Sequence, residues 1–244
     1  MILVYDKSFE GFLTLVFKVY YEKLKPIRIL KEMPNELFLD DFIVIENNEE
    51  HSQKVLDALK KKFSKDNFQR ILNIFMCDSK DFELDLLNYI IIGFKNQKEL
   101  ANINNSSLFN ILNIEKELFR HIHKMEGFLR FEELDDGTLY AKMQTKFNVA
   151  YFLGKHFFKR LNNQKYIIHD INRKIAFIKN DDFLGIQNIA SYEEPKLSED
   201  EEKFKKLWSQ FFKSVSIESK KNDRCQKNQV PLLYRTYMSE FYKR

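Results

Sequence analysis

Cysteine, glycine, proline and long apolar runs are all scarce in this chain, and each scarcity removes a class of function. Only Cys77 and Cys225 occur in 244 residues, far apart and in no CxxC pair. A disulfide framework, a thiolate-bound metal and an iron–sulfur cluster therefore have no support in the sequence. We expect no metal and no cofactor on this chain, so that any cluster chemistry belongs to a partner. Six glycines leave few places where backbone can approach a ligand closely, and no Gly-rich phosphate loop, HExxH or nucleophile elbow is present. That counts against a nucleotide-binding enzyme. The longest apolar runs, "LLNYIIIGF" and "FLTLVF", fall short of the roughly 18–20 residues that a membrane span requires. The start, "MILVYDKSFEG", lacks a basic n-region and a small-residue cleavage site. The expectation is a cytoplasmic protein with no membrane partner.

Aromatic residues, in contrast, are plentiful: 24 Phe, 11 Tyr and one Trp make 15% of the chain, enough for a sizeable core. Charged residues, 31% of the total, lie between apolar ones at helical or strand spacing, the pattern of a solvated surface over a core. The net charge of +4 is unevenly placed. From Lys213 onward eight basic residues (Lys213, Lys220, Lys221, Arg224, Lys227, Arg235, Lys243 and Arg244) face three acids, so the preceding part is close to neutral. A basic end on a neutral body is an electrostatic footprint for phosphate, and equally the ordinary surface of a solvated helix end.

Periodicity gives the elements. "ILVYD" reads as a strand, and Ser8 as the N-cap of a helix with Phe9, Phe12, Leu13, Val16 and Tyr20 on its apolar face, bounded by Pro26 and Pro34. "FIVIE" is a second strand. Helices are expected from about Glu49 to Phe63, with Val55 and Leu59 inward, from a Ser64 cap through Phe68, Ile71, Leu72 and Phe75, and from about Asp81 to Phe94. The polar stretch "KNQKELANINNSS" suggests a boundary, giving regions 1–105 and 106–244. After it, Leu108, Ile111, Leu112, Leu118, Phe119 and Ile122 stripe a helix expected to end at Gly127. The period then changes from 3.6 to 2. "FLRFEEL" and "LYAKMQT" flank "DDG", "NVAYFLGKHFFKRL" returns to helix, and "KYIIHD" with "RKIAFI" forms a second hairpin about "IN". Ser198 with Glu201 reads as a capping box before the clearest amphipathic face in the chain, Phe204, Leu207, Trp208, Phe211, Phe212 and Val215. The fold class is α+β: a mainly helical N-terminal half with short strands, and a C-terminal half in which helices cover an antiparallel hairpin–helix–hairpin sheet.

Three residues are candidate acid–base groups, each with a plainer reading beside it. His123 stands one turn after Phe119 and Arg120 near a helix end, where an imidazolium is favoured and a capping role suffices. His121, two residues away, points elsewhere and cannot share a metal with it. His156 falls on the apolar face of its helix with Arg160 one turn on, either as a core or rim histidine or as half of an anion-facing pair. His169 and Asp170 are neighbours on a strand and face opposite ways, so they form no dyad. Asp170 is expected to pair with Arg173 across the turn as an exposed register lock contributing under about 1 kcal/mol, or to serve as a catalytic acid. For nucleic acid, Lys220, Lys221, Arg224 and Lys227 are interspersed with Asn222, Gln226 and Gln229, side chains that meet phosphates or base edges, with Tyr234 available for stacking.

Several strings taken together resemble a known family. "HKMEGFLRF", "NVAYFLGKHFFKRL", "IIHDINRKIAF", "LWSQFFKSVSIESKKN" and "VPLLYRTYMSEF", with the opening "VYDKSFEGFLTLVFKVY", are similar in order to segments of a bacterial family assigned to DNA metabolism or repair, built on a domain of unknown function. The resemblance covers most of the chain and is weakest from about Leu30 to Phe119. It implies genes placed beside that of a radical-SAM protein of DNA modification or repair, and a relation to domains fused to uracil-DNA-glycosylase-like domains. It implies no reaction for the domain itself. Matching positions are His123, Gly127, Arg130, Phe131, Asn148, His156, Arg160, Asp170, Arg173, Trp208, Asn222, Gln226, Pro231 and Tyr234. Tyr166 stands where tryptophan is common, and Leu233-Tyr234 where Tyr-Trp is common, which removes one stacking ring while keeping bulk.

The leading expectation is a DNA-associated accessory protein that contacts nucleic acid through Arg130, Arg160, Arg173, Lys220, Lys221, Arg224, Gln226 and Tyr234, with a radical-SAM partner supplying the chemistry. An alternative is a base- or nucleotide-processing enzyme in which His123, His156 and Asp170 converge on one cleft. A third is a protein-interaction module marked by an exposed apolar patch. Whether the chain turns over a substrate is left open.

Overall fold

The computed structural model describes residues 1–33, 41–189 and 194–241, and Pro34, Lys243 and Arg244 lie outside them. The chain divides into two compact units, Met1–Phe119 and Arg120–Arg244. The fold is α+β, as the periodicity predicts.

The first unit opens with β1 (Ile2–Val4), α1 (Phe9–Tyr21), β2 (Arg28–Leu30) and β3 (Phe42–Val44), then α2 (Glu49–Lys62), α3 (Lys65–Phe75) and α4 (Glu83–Lys95). Its sheet has the order β2-β1-β3 with both pairings parallel, Ile2 standing opposite Arg28 on one side and Phe42 on the other. Ser8 and Ser64 cap α1 and α3 as expected, accepting from the backbone N–H of Gly11 and Asn67. Leu3, Phe12, Leu15, Leu59, Ile71 and Ile90 anchor the core. Burial along α1 ends at Val19, so Tyr20, expected inward, is 65% exposed beside Tyr21 at 66%. Strand β2 had no periodic signal: it is three residues long, with one of them buried.

Helix α5 (Ser106–Phe128) has its last turns in the second unit. There follow β4 (Glu132–Glu133), β5 (Leu139–Met143), α6 (Ala150–Leu161), β6 (Tyr166–Asp170), β7 (Ile175–Lys179) and β8 (Leu184–Asn188). The sheet runs in sequence order, β4-β5-β6-β7-β8. Both expected hairpins form, β4 with β5 and β6 with β7. The sheet is not wholly antiparallel, however, because β5 and β6 pair parallel from Leu139↔Tyr166 to Met143↔Asp170. The cause is α6, which carries the chain across the sheet so that the next strand starts in the same direction. It packs on β6, β7 and β8, and the Tyr166 hydroxyl donates to the Gly154 carbonyl at 2.8 Å. Strand β8 is an added edge strand whose residues are mostly exposed, which is why no alternation marks it.

Helices α7 (Glu201–Ser214), α8 (Asp223–Gln229) and α9 (Leu232–Arg235) close the unit. Two local expectations are corrected. Gly127 does not end α5, which continues to Phe128. The end is made instead by Arg130, whose Nη1 donates to the carbonyls of Gly127 and Leu129 at 2.8 and 3.1 Å, so no left-handed residue is needed. The Ser198/Glu201 capping box does not form either: Asp200 is the N-cap, without a side-chain bond. The Glu201 carboxylate accepts instead from the Glu133 N–H at 2.8 Å and ties α7 to β4.

Candidate nucleic-acid interface

The turn from α5 into β4 orders Arg130. Its guanidinium lies 2.6 Å (Nη2) and 3.3 Å (Nε) from the two carboxylate oxygens of Glu240, which the 3-10 turn Ser239–Phe241 supplies from the other end of the unit. Trp208 Nε1 donates to the same carboxylate at 3.1 Å, and the guanidinium stands 5.7 Å from the centre of the indole. Burial acts to raise the Glu240 carboxyl, but the hydrogen bonds from Arg130 and Trp208 outweigh it and hold the group below its ordinary range. Arg130 is thus engaged in a clamp with Glu240 and Trp208.

Arg173 is likewise spent internally. Its Nη1 lies 2.7 Å from Asp170 Oδ2, and it donates further to the carbonyls of Thr145 and Lys146 at 3.1 and 3.0 Å. The expected pair therefore forms, but Asp170 is fully buried where an exposed lock was expected. The Asp170 carboxylate is enclosed by Arg173 and Thr145. Its strand neighbour His169 faces Tyr140, with 2.8 Å between Nδ1 and the hydroxyl. Burial pushes this imidazole below its usual value, Asp170 opposing and Lys142 adding to the shift.

His123 and His156 do come close, by way of a residue that the sequence reading passed over. Glu126 places Oε2 3.5 Å from His123 Nδ1 and Oε1 3.1 Å from His156 Nδ1. His123 is almost fully exposed, and His156 is partly buried with Nε2 unpaired among the described residues. His156 thus faces an acid, not the anion-facing partnership with Arg160 that its spacing suggested; Arg160 is exposed. None of Glu126, His123 or His156 lines the large groove of this unit. The spacing of Glu126, three residues after His123, was legible, but nothing in the sequence linked it to His156. Among the described residues no group of three His, Cys, Asp or Glu is placed to hold a metal ion.

The C-terminal cations are arranged differently. Lys213, Lys220, Lys221, Arg224 and Lys227 are all exposed, and none forms an ion pair among the described residues. Asn222 caps α8 by accepting from the Cys225 N–H at 2.9 Å, which sets Arg224, Gln226 and Lys227 on one short exposed helix. Tyr234 is set apart from them. Its hydroxyl meets His121 Nδ1 at 3.2 Å and its ring packs on Phe128, so it is not an open stacking surface.

The amphipathic face of α7, the clearest in the sequence, is largely bare. Phe204, Leu207 and Phe211 are each more than half exposed. With Trp208 and Phe131 they line an open groove of about 800 Å³. Lys205 spans its wall to Glu132 at 2.9 Å, and Arg130 is the clamp already described, so among the described residues the groove carries no unpaired cation.

Residues 80–240, about two thirds of the chain, match the family model described as a domain of unknown function, DUF4130. No curated protein matches the chain. None of the described helices is long and apolar enough to cross a membrane.

Proposed function

The chain belongs to the DUF4130 family, a domain of unknown function, and on that premise we propose that it is a nucleic-acid-associated accessory protein. Its polyanion contact is the exposed cationic stretch of residues 213–227. The observation that carries this reading is a contrast. Arg130 and Arg173 are neutralised by Glu240 and Asp170, whereas Lys220, Lys221, Arg224 and Lys227 are exposed without an ion pair among the described residues. The acid–base alternative needs His123, His156 and Asp170 in one cleft; His123 and His156 both meet Glu126, whereas Asp170 is buried against Arg173, which favours the accessory reading. DNA as the ligand, and a radical-SAM protein as the partner that supplies chemistry, come from the sequence resemblance. Both are parts of the proposal.

Anisotropy of a labelled DNA oligonucleotide tests it. Four phosphate contacts give an affinity that falls with a log–log salt slope of about −3 to −4. Charge reversal in Lys220→Glu/Lys221→Glu/Arg224→Glu should abolish binding. A salt-independent affinity, or one that the triple variant retains, would overturn the contact.

The bare apolar face of α7 favours a second reading, a protein-docking function. A partner that co-purifies with the intact chain after nuclease digestion and is lost in Leu207→Glu/Phe211→Glu would establish it. Retention only through nucleic acid would refute it.

A further inference from the structure

The first unit holds a second concavity, of about 320 Å³, between α1, α2 and α4. Among the described residues, four aromatic rings and three lysines line it, and no acid does. Its floor is apolar, made by Val16, Val55 and Ala58. The rings stand at the end of α1 where the core stops: Tyr20 and Tyr21 meet edge to face at 5.3 Å and 80°, and Phe17 backs Tyr21 at 4.3 Å. Both tyrosines are about two-thirds exposed, an arrangement that leaves π-surface open to a flat ligand.

The cations complete the chemistry. Lys54 is held by Glu50 at 2.6 Å. Lys62 and Lys95 form no ion pair among the described residues, and Lys62 Nζ lies 5.6 Å from the Phe94 ring centre, at the edge of the cavity. Both stand in the last turn of their helices, where part of each charge answers the terminal carbonyls and the remainder is available to a ligand. A neutral ring would use the tyrosines alone, and a bare anion the ammoniums alone. A planar ring joined to a phosphate uses both.

We propose that this cavity is a nucleotide site, with one of Tyr20 and Tyr21 stacking on the face of the base, the other meeting its edge, and Lys62 and Lys95 meeting the phosphate. Its volume, at the lower end of the roughly 300–1,000 Å³ usual for ligand pockets, suits one nucleotide and not a dinucleotide. Recognition here runs through side chains, as in single-strand binding by aromatic platforms and basic side chains, so the lack of a glycine-rich loop is no obstacle. The site is independent of the C-terminal cations, and failure of either leaves the other standing.

Calorimetric titration of the full chain with AMP, adenosine and inorganic phosphate tests the proposal. We expect AMP to bind at least tenfold more tightly than adenosine or phosphate. Lys62→Glu/Lys95→Glu and Tyr20→Ala/Tyr21→Ala should each weaken AMP at least tenfold. Lys62→Gln/Lys95→Gln serves as a milder pair should the reversal impair folding. A 5′-phosphorylated tetranucleotide that displaces AMP would identify a strand end as the source of the nucleotide, and failure to displace it a free nucleotide. No binding of AMP, equal binding of adenosine or phosphate, or full affinity in the lysine variants would overturn the site.

Discussion

Gly154 and Phe177 are in such close contact that a methyl group on the glycine would fall 2.2 Å from the ring. Helix α6 lies on the sheet at this point, and the distance between the two layers is set by the missing side chain. Phe177 is itself stacked parallel on Tyr166, at 6.1 Å and 8°, so it cannot swing aside cheaply. Gly154→Ala should cost about 1–3 kcal/mol through overpacking despite the better helix propensity of alanine. Urea unfolding of the purified variant measures it, and a stabilised variant would show that α6 can lift off.

The burial of Asp170 raises the consequence of cutting its partner. Arg173→Ala leaves a carboxylate fully buried with its charge uncompensated, and should destabilise by about 3–5 kcal/mol. That is several times the value expected of an exposed register lock. A loss below about 1 kcal/mol in thermal or urea unfolding would mean that Asp170 reaches water when Arg173 is gone.

Stability should also depend on pH through His169. Its folded-state value is depressed by burial, so below the unfolded value of about 6.5 the unfolded chain takes up more protons than the folded one. The contribution is complete above that value and is lost as pH falls through it toward the folded-state value. Unfolding midpoints should therefore drop between neutral pH and about pH 5, and His169→Gln should flatten that part of the profile. An unchanged profile would relieve His169 of the effect.

The two thiols should behave as opposites. Cys77 is buried in the first unit, and burial, with Asp78 and Glu117 adding, pushes its thiol up to about 12. Cys225 is exposed on α8. Titration with an aromatic disulfide reagent at neutral pH should give one fast equivalent, removed by Cys225→Ser, and a second only on denaturation. Two fast equivalents would mean that the segment carrying Cys77 opens readily.

Periodicity made most elements legible, because burial on one face of a helix or strand writes itself directly into the order of residues. The Ser8 and Ser64 caps, the "DDG" hairpin and α6 all follow from such local rules. What stayed hidden depended on distant partners. Arg130 looks like a phosphate ligand until Glu240, 110 positions away, is placed against it, and Glu201 looks like a cap until β4 claims it. At α7 the order of residues shows that one face is apolar, but what covers such a face depends on distant parts of the chain. Residues 220–227 carry no aliphatic or aromatic side chain, and all of them are exposed.

The parallel join between β5 and β6 bears on how the polypeptide is made. On the ribosome the β4–β5 hairpin is complete well before Tyr166 leaves the exit tunnel. Until α6 has emerged and turned back, the outer rim of β5 displays unmet amides and carbonyls to its surroundings. A pause in synthesis after β5 has left the tunnel and before β6 has would therefore leave a nascent chain with a sticky rim, vulnerable to pairing with a neighbour on the same message.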